Sequence, residues 1–147
     1  MIRMYRYSEG ENSYILIDGR DVEIPRFRKS GTVHSLCLFH DVDGIGILDK
    51  SDKADFSLEF YGNDGMQHGI QAGAIAGASD IVTGAAVCAV AFADLVGVKA
   101  FHSKDYTFFC FGTVYSAEIT SHLGECKEIT LSEPNYHGSA ICQGALE

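Results

Sequence analysis

Five cysteines stand at positions 37, 88, 110, 126 and 142 of a 147-residue chain. A thiol does chemistry as nucleophile, metal ligand or acid–base, and only where its surroundings favour the thiolate. No two of the five form a Cys-x-x-Cys pair, so the usual dithiol and zinc-ribbon spacings are absent. The densest set of metal-ligand types is His34, Cys37 and His40, followed by Asp41 and Asp43. On one helical face the first three could take zinc, but no further ligand pair completes a tetrahedron. Val33, Leu36, Leu38 and Phe39 make the same segment apolar. A packed element with incidental histidines is the plainer reading, and no metal or other cofactor is expected. Cys37, Cys110, Cys126 and Cys142 read as core or strand thiols.

The stretch from Gly62 to Val98 organises the rest. It is built from Gly, Ala and aliphatics and carries no charge between Asp80 and Asp94. An element apolar on every side must be covered on every side. The pattern predicts a buried helix from about Ile81 to Val96, with Ser79 or Asp80 as N-cap and Gly97 as the C′ glycine. Met66–Ala78 is glycine-rich and reads either as a loop or as an extension of that helix.

Strands are expected on both sides of the helix. Met1–Tyr7 and Tyr14–Ile17 read as neighbours across a Ser8–Asn12 turn. Ile45–Leu48 is a buried run after the Asp43-Gly44 turn. Phe56–Tyr61 alternates strictly, with Phe56, Leu58 and Phe60 on one face. Gly62–Gly65 is a turn. Tyr106–Phe111, Val114–Ile119 and Glu128–Leu131 are spaced as successive hairpin strands, with Gly112 and Gly124 at the turns, and Ile141–Leu146 is a closing strand. Val22–Ile24, before Pro25, is extended, and Arg26–Lys29 is a solvated basic patch. Gly31–His40 fits a short helix or a strand. Strands, one long apolar helix, then strands again define an α+β class, here a single domain over 1–147 with antiparallel or mixed strands wrapped on one central helix.

Composition narrows the partners. With 11 Lys and Arg against 20 Asp and Glu the net charge is −9, which disfavours nucleic acid and anionic membrane surfaces. Gly69–Val98 holds Asp80 and Asp94 and is mostly Ala and Gly, a poor membrane span. The N-terminus has no apolar run behind its arginines, so no secretory leader is read there. An odd number of scattered cysteines fits reduced thiols in a cytoplasm.

Taken in order, several segments resemble the N-terminal half of diaminopimelate epimerase. MYRYSEGENSYILIDGRD resembles the family's opening strand, its Gly-x-Gly-Asn-Asp-Phe loop and the strand after it. VDGIGILDKSDKADFSLEFYGNDG resembles its Asp-Gly segment, Ala-Asp-Phe strand and Asn-x-Asp-Gly turn. AVCAVAFADLVGV resembles the helix behind its catalytic Cys-Gly-Asn-Gly motif, and YTFFCFGTVYSAEI and GECKEITLSEP resemble the strands that follow. The tail AICQGALE is similar to the family's returning closing strand.

The resemblance implies a small barrel or roll wrapped on a helix, one of two similar halves with the active site between them. It also implies cofactor-independent epimerisation by a cysteine from each half, one removing the α-proton and the other returning it. Helix N-termini would hold the substrate carboxylate. Asn12, Asn63, Thr83 and Gly84 fall at or beside ligand-contacting positions. This chain departs from the pattern where the chemistry sits. Cys88 aligns with the motif's closing cysteine, which is not the acid–base. The catalytic position falls on Val82, or on Thr83 with a one-residue gap, and neither does thiol chemistry at neutral pH. About eleven extra residues precede the helix, and the second half is not in the sequence.

The expectation is therefore a protein without epimerase activity that binds a small, amino-acid-like molecule and pairs with a second copy of itself. A lone half would expose the face its partner half covers. A residual isomerase working through dimer-related Cys88, or through Thr83, is the enzymatic alternative. A third reading comes from Gln67–Ala86, which resembles the central helix of hotdog acyl-CoA thioesterases. There Asp80, four before Gly84, would activate water.

Overall fold

Eight strands close on themselves around a helix. The computed structural model describes residues 4–21, 29–70, 81–101, 103–123, 126–133 and 136–146. The elements are β1 (Met4–Glu9), β2 (Asn12–Asp18), α1 (Ser30–His40), β3 (Gly44–Asp49), β4 (Phe56–Gly62), β5 (Gln67–His68), α2 (Ile81–Val96), β6 (Asp105–Cys110), β7 (Thr113–Leu123), β8 (Cys126–Glu133) and β9 (Tyr136–Leu146). The sheet runs β3-β2-β1-β9-β8-β7-β6-β4-β5, and β3 also pairs with β4, which closes the barrel. β2–β3 and β4–β6 are parallel and the remaining pairings antiparallel. The strands are thus mixed, and the closing strand lies between β8 and β1.

Strand alternation sets the interior. Tyr5 and Tyr7 of β1, Tyr14 and Leu16 of β2, and Phe56, Leu58 and Phe60 of β4 share one core with Tyr106, Phe108, Tyr115, Ile129, Leu131 and α2. Helix α2 is buried continuously from Val82 to Ala93 and touches β1, β2, β3, β4, β7, β8 and β9. Its alanines and Gly84 let strands approach, while Val87, Val90 and Phe92 fill the wider gaps. The helix ends as its sequence predicts. Gly97 has φ +71°. Its N–H reaches the Asp94 carbonyl at 3.3 Å, and the Val98 N–H reaches that of Ala93 at 3.1 Å, a Schellman closure.

A second core lies outside the barrel. Ile15, Ile17, Ile45, Ile47 and Tyr61, on the outer faces of β2, β3 and β4, pack with Val33 and Cys37 of α1. These two cores explain why β2 and β3 read as unbroken apolar runs: both faces are covered.

The described residues thus hold two helices, α2 and, over the segment that fitted either a short helix or a strand, α1; only α2 is wrapped by strands. Segment 31–40 was ambiguous because Leu38 and Phe39, 70% and 83% exposed, blur the helical spacing of Val33, Leu36 and Cys37. Two turns are tighter than expected. Glu9 and Asn12 still pair, leaving Gly10 and Glu11 as the turn, and Gly62 belongs to β4. The expectations for Val22–Ile24, for the N-cap and for most of Met66–Ala78 fall outside the described residues, as does Gly124.

Candidate functional site at the barrel mouth

Register gathers four chain segments at one end of the barrel. Glu9 faces Asn12 across the β1–β2 turn, Tyr14 pairs with Gly44, and Gly44 pairs with Gly62. The Tyr14 hydroxyl donates to the Ile81 carbonyl at 2.9 Å, which ties the start of α2 to the same end. Asp43 holds the rim together. Its carboxylate accepts the Ser13 N–H at 2.9 Å. Its own N–H donates to the Ser13 carbonyl at 2.8 Å, and its carbonyl accepts the Asn63 N–H at 2.9 Å.

Inside the mouth the first turn of α2 presents Thr83 and Gly84. Thr83 is 8% exposed, and its Oγ1 is buried with no hydrogen-bond partner among the described residues. Gly84 is required where it stands: a Cβ there would lie 2.6 Å from Tyr14 Oη and 3.4 Å from the Glu9 carboxyl carbon. Glu9 lies on the inward face of β1, in step with Tyr5 and Tyr7, so its carboxyl group reaches that turn.

One turn deeper, Cys88 is wholly buried. Burial, and then its hydrogen bond to the Cys142 sulfur, push its thiol well above the ordinary 9.0. The thiol is enclosed in the barrel core, among the side chains that pack on α2.

On the α1 side of the rim lies a cavity of about 680 Å³, lined by Arg6, Glu11, Ser13, His34, Asp43 and Asn63 among others. His34 Nδ1 donates to the Asn63 carbonyl at 2.8 Å. Arg6 donates to the carbonyl oxygens of His40 at 2.8 Å and Asp41 at 3.3 Å. Cys37 belongs to the outer core, where burial and then Asp43 and Asp64 push its thiol up to about 11. His34, Cys37 and His40 therefore do not converge, and no metal-binding group of three is found among the described residues.

Of the residues the sequence singles out, Asn12, Asn63, Thr83 and Gly84 all lie at this mouth. Asn63 lines the outer cavity, and Thr83 and Gly84 face the interior. Asp80, which the thioesterase reading needs, lies outside the described residues. Sequence reasoning missed Glu9 and Asp43 as parts of the site. Their signals were the acidic residue in place of a loop glycine and the Asp-Gly pair at the start of β3. All five cysteines are free, and no helix among the described residues is long and apolar enough to cross a membrane.

The barrel and its helix define the diaminopimelate-epimerase-like fold. Solved structures with this architecture include a phenazine biosynthesis protein of the PhzF family from Bacillus anthracis, with TM-score 0.62 and 9% identity over 88% of this chain and 40% of that one. A PhzF-family protein from Enterococcus faecalis gives TM-score 0.54 and 9% identity over 88% and 44%. Methylitaconate-delta-isomerase gives TM-score 0.58 and 10% identity over 99% and 92%. The chain spans 40 to 44% of the length of these PhzF-family proteins. No family model matches the sequence, and no curated protein sequence matches it.

Proposed function

We propose that this epimerase-like barrel does not run two-thiol epimerisation and instead binds a small, amino-acid-like molecule at its mouth. The observation that carries this reading is Thr83. It stands at or beside the position where the family resemblance puts a thiol, on the first turn of α2, with a buried hydroxyl that lacks a partner among the described residues. Leaving such a group unpaired costs about 1–3 kcal/mol, a cost that a ligand's polar group would remove. The isomerase among the structural neighbours motivates a direct check for residual chemistry. Solvent deuterium appearing at the α-carbon of an amino acid, and lost in Cys88→Ala, would overturn the loss of activity. Binding itself is tested by titrating amino acids into wild type and Thr83→Val and following amide NMR shifts near Gly84. Shifts in wild type that vanish in the variant support the reading, and shifts in neither refute it.

We further propose that the protein acts in the cytoplasm and pairs with a second copy of itself. The exposed Leu38 and Phe39 of α1 support the pairing as an apolar surface in need of cover. Sedimentation showing monomer alone at high concentration would refute it.

A further inference from the structure

Between helix α1 and the barrel rim, the cavity of about 680 Å³ has the volume of a small-molecule site, and Glu9, Thr83 and Gly84 take no part in its lining. Its wall is braced by hydrogen bonds between separate chain segments. Asn63, in the turn after β4, accepts from His34 Nδ1 of α1 at 2.8 Å and donates through its N–H to the Asp43 carbonyl at 2.9 Å. Asp43 in turn takes the Ser13 N–H at 2.9 Å on one carboxylate oxygen, Oδ2. His34 and Asp43 are thus both fixed to the backbone of Asn63, and both line the same void.

These bonds decide what the wall offers. A carbonyl only accepts, so the His34 proton sits on Nδ1 and the neutral ring keeps an acceptor at Nε2. Asp43 keeps its second carboxylate oxygen, and no hydrogen bond or ion pair engages the carboxylates of Glu11 and Asp41 among the described residues. Asp64 is bound to the Met66 N–H and to His68. Arg6, the arginine of the lining, directs its guanidinium at the carbonyl oxygens of His40 and Asp41. The cavity therefore presents acceptors and negative charge, with apolar surface beside them from Leu38, 70% exposed, and from Val42. No three of these groups converge as a metal ion requires among the described residues, so a fitting occupant spans the void with donors of its own.

We propose that this cavity binds a small alkylammonium ion, its N–H groups on the Asp43 carboxylate and His34 Nε2, its charge facing Glu11 and its alkyl chain on Leu38. An ammonium group carries three donors, no acceptor and the matching charge, and hydrogen bonds between ionised groups are the stronger kind. A carboxylate of similar size would meet like charge at Asp43 and Glu11. The alkyl chain covers part of a leucine that α1 otherwise leaves in water. This site lies on the α1 side of the rim and does not depend on ligand binding at the start of α2.

The experiment is an NMR titration of the full chain with n-butylammonium chloride, tetramethylammonium chloride and sodium butyrate at constant ionic strength. The Ser13 and Asn63 amides report this cavity, and the Gly84 amide reports the start of α2. In wild type, butylammonium should shift Ser13 and Asn63 but not Gly84. Tetramethylammonium, which has no N–H, should bind more weakly, and butyrate should leave all three amides unmoved. Asp43→Asn, which keeps an oxygen for the Ser13 N–H, should weaken butylammonium about tenfold. Glu11→Gln, at an exposed turn position where folding is not at stake, should weaken it about twofold. Circular dichroism establishes that each variant is folded. Absent shifts at Ser13 and Asn63 in wild type, butyrate or tetramethylammonium binding as tightly as butylammonium, or an affinity unchanged in the folded variants overturns the proposal. Butylammonium shifting Gly84 alone also overturns it, while supporting the reading of the mouth as a binding site.

Discussion

The two ends of helix α2 are built on opposite terms. At the C-terminal end Asp94 accepts the Tyr106 hydroxyl and pairs with Lys127 at 3.0 Å, both side chains less than one-fifth exposed. Arg20, held by Asp18 at 2.9 Å, reaches over to donate to the Val96 carbonyl at 2.9 Å. Gly97 and Val98 then close the helix. A carboxylate near a helix C-terminus is disfavoured by the helix dipole, and here a cation and a phenol compensate it. At the N-terminal end Tyr14 braces Ile81, but Thr83 and Glu9 are left without partners among the described residues. Paired polar groups anchor a fold. Unpaired ones at a mouth cost stability, and that cost is tolerated where a site needs them.

The largest test of this contrast removes the anchor. Lys127→Met leaves the largely buried Asp94 carboxylate without this lysine and should cost about 3 kcal/mol in urea denaturation. A loss below about 1 kcal/mol would mean the C-terminal pair is not the anchor. At the other end, Gly84→Ala drives a methyl into Tyr14 Oη and should cost about 1–3 kcal/mol. Adding Tyr14→Phe should recover part of it, which separates crowding from lost helix geometry. Thr83→Val should go the opposite way, raising stability by about 1 kcal/mol because the orphan hydroxyl is gone. Destabilisation by Thr83→Val would mean that hydroxyl is structurally satisfied.

Alkaline pH gives a further lever. Burial holds the Cys110 thiol up at about 11 against an ordinary 9.0, and Cys37 on the mouth side is likewise at about 11. The folded state keeps protons that the unfolded chain releases, so this stability is complete below pH 9 and falls as pH rises toward 11. Melting temperatures at pH 8 to 11 should show the fall, and Cys110→Ala should flatten it. The smallest effect is expected at the β6–β7 turn, where Phe111 adopts φ +48°. Phe111→Gly should gain about 0.5 kcal/mol by relieving that strain.

Much of this architecture was legible in the sequence. The limits of α2 follow from its uncharged, all-apolar run and from Gly97. The inward set Phe56, Leu58 and Phe60 follows from strict alternation, and the closing role of the last strand from its pattern. Helix α1 was not legible, because Leu38 and Phe39 sit outward on a segment whose inward face is short. The site was half legible. Asn12, Asn63, Thr83 and Gly84 were marked by their alignment with a known pattern, and they share one barrel end. Glu9 was seen only as a disturbance of glycine spacing, because its meaning depends on which face of β1 it occupies and what lies opposite.

What the sequence by itself determined is local: the period of each strand and the C-terminal cap of α2. These depend on neighbours a few residues away. Closure of the barrel decided the rest. It laid Glu9 of β1 against Gly84, left Thr83 Oγ1 without a partner among the described residues, made Asp43 the tie between β2 and the turn after β4, and joined Asp94 to Lys127. Each of these joins residues distant in sequence, and strand pairing alone sets which of them meet.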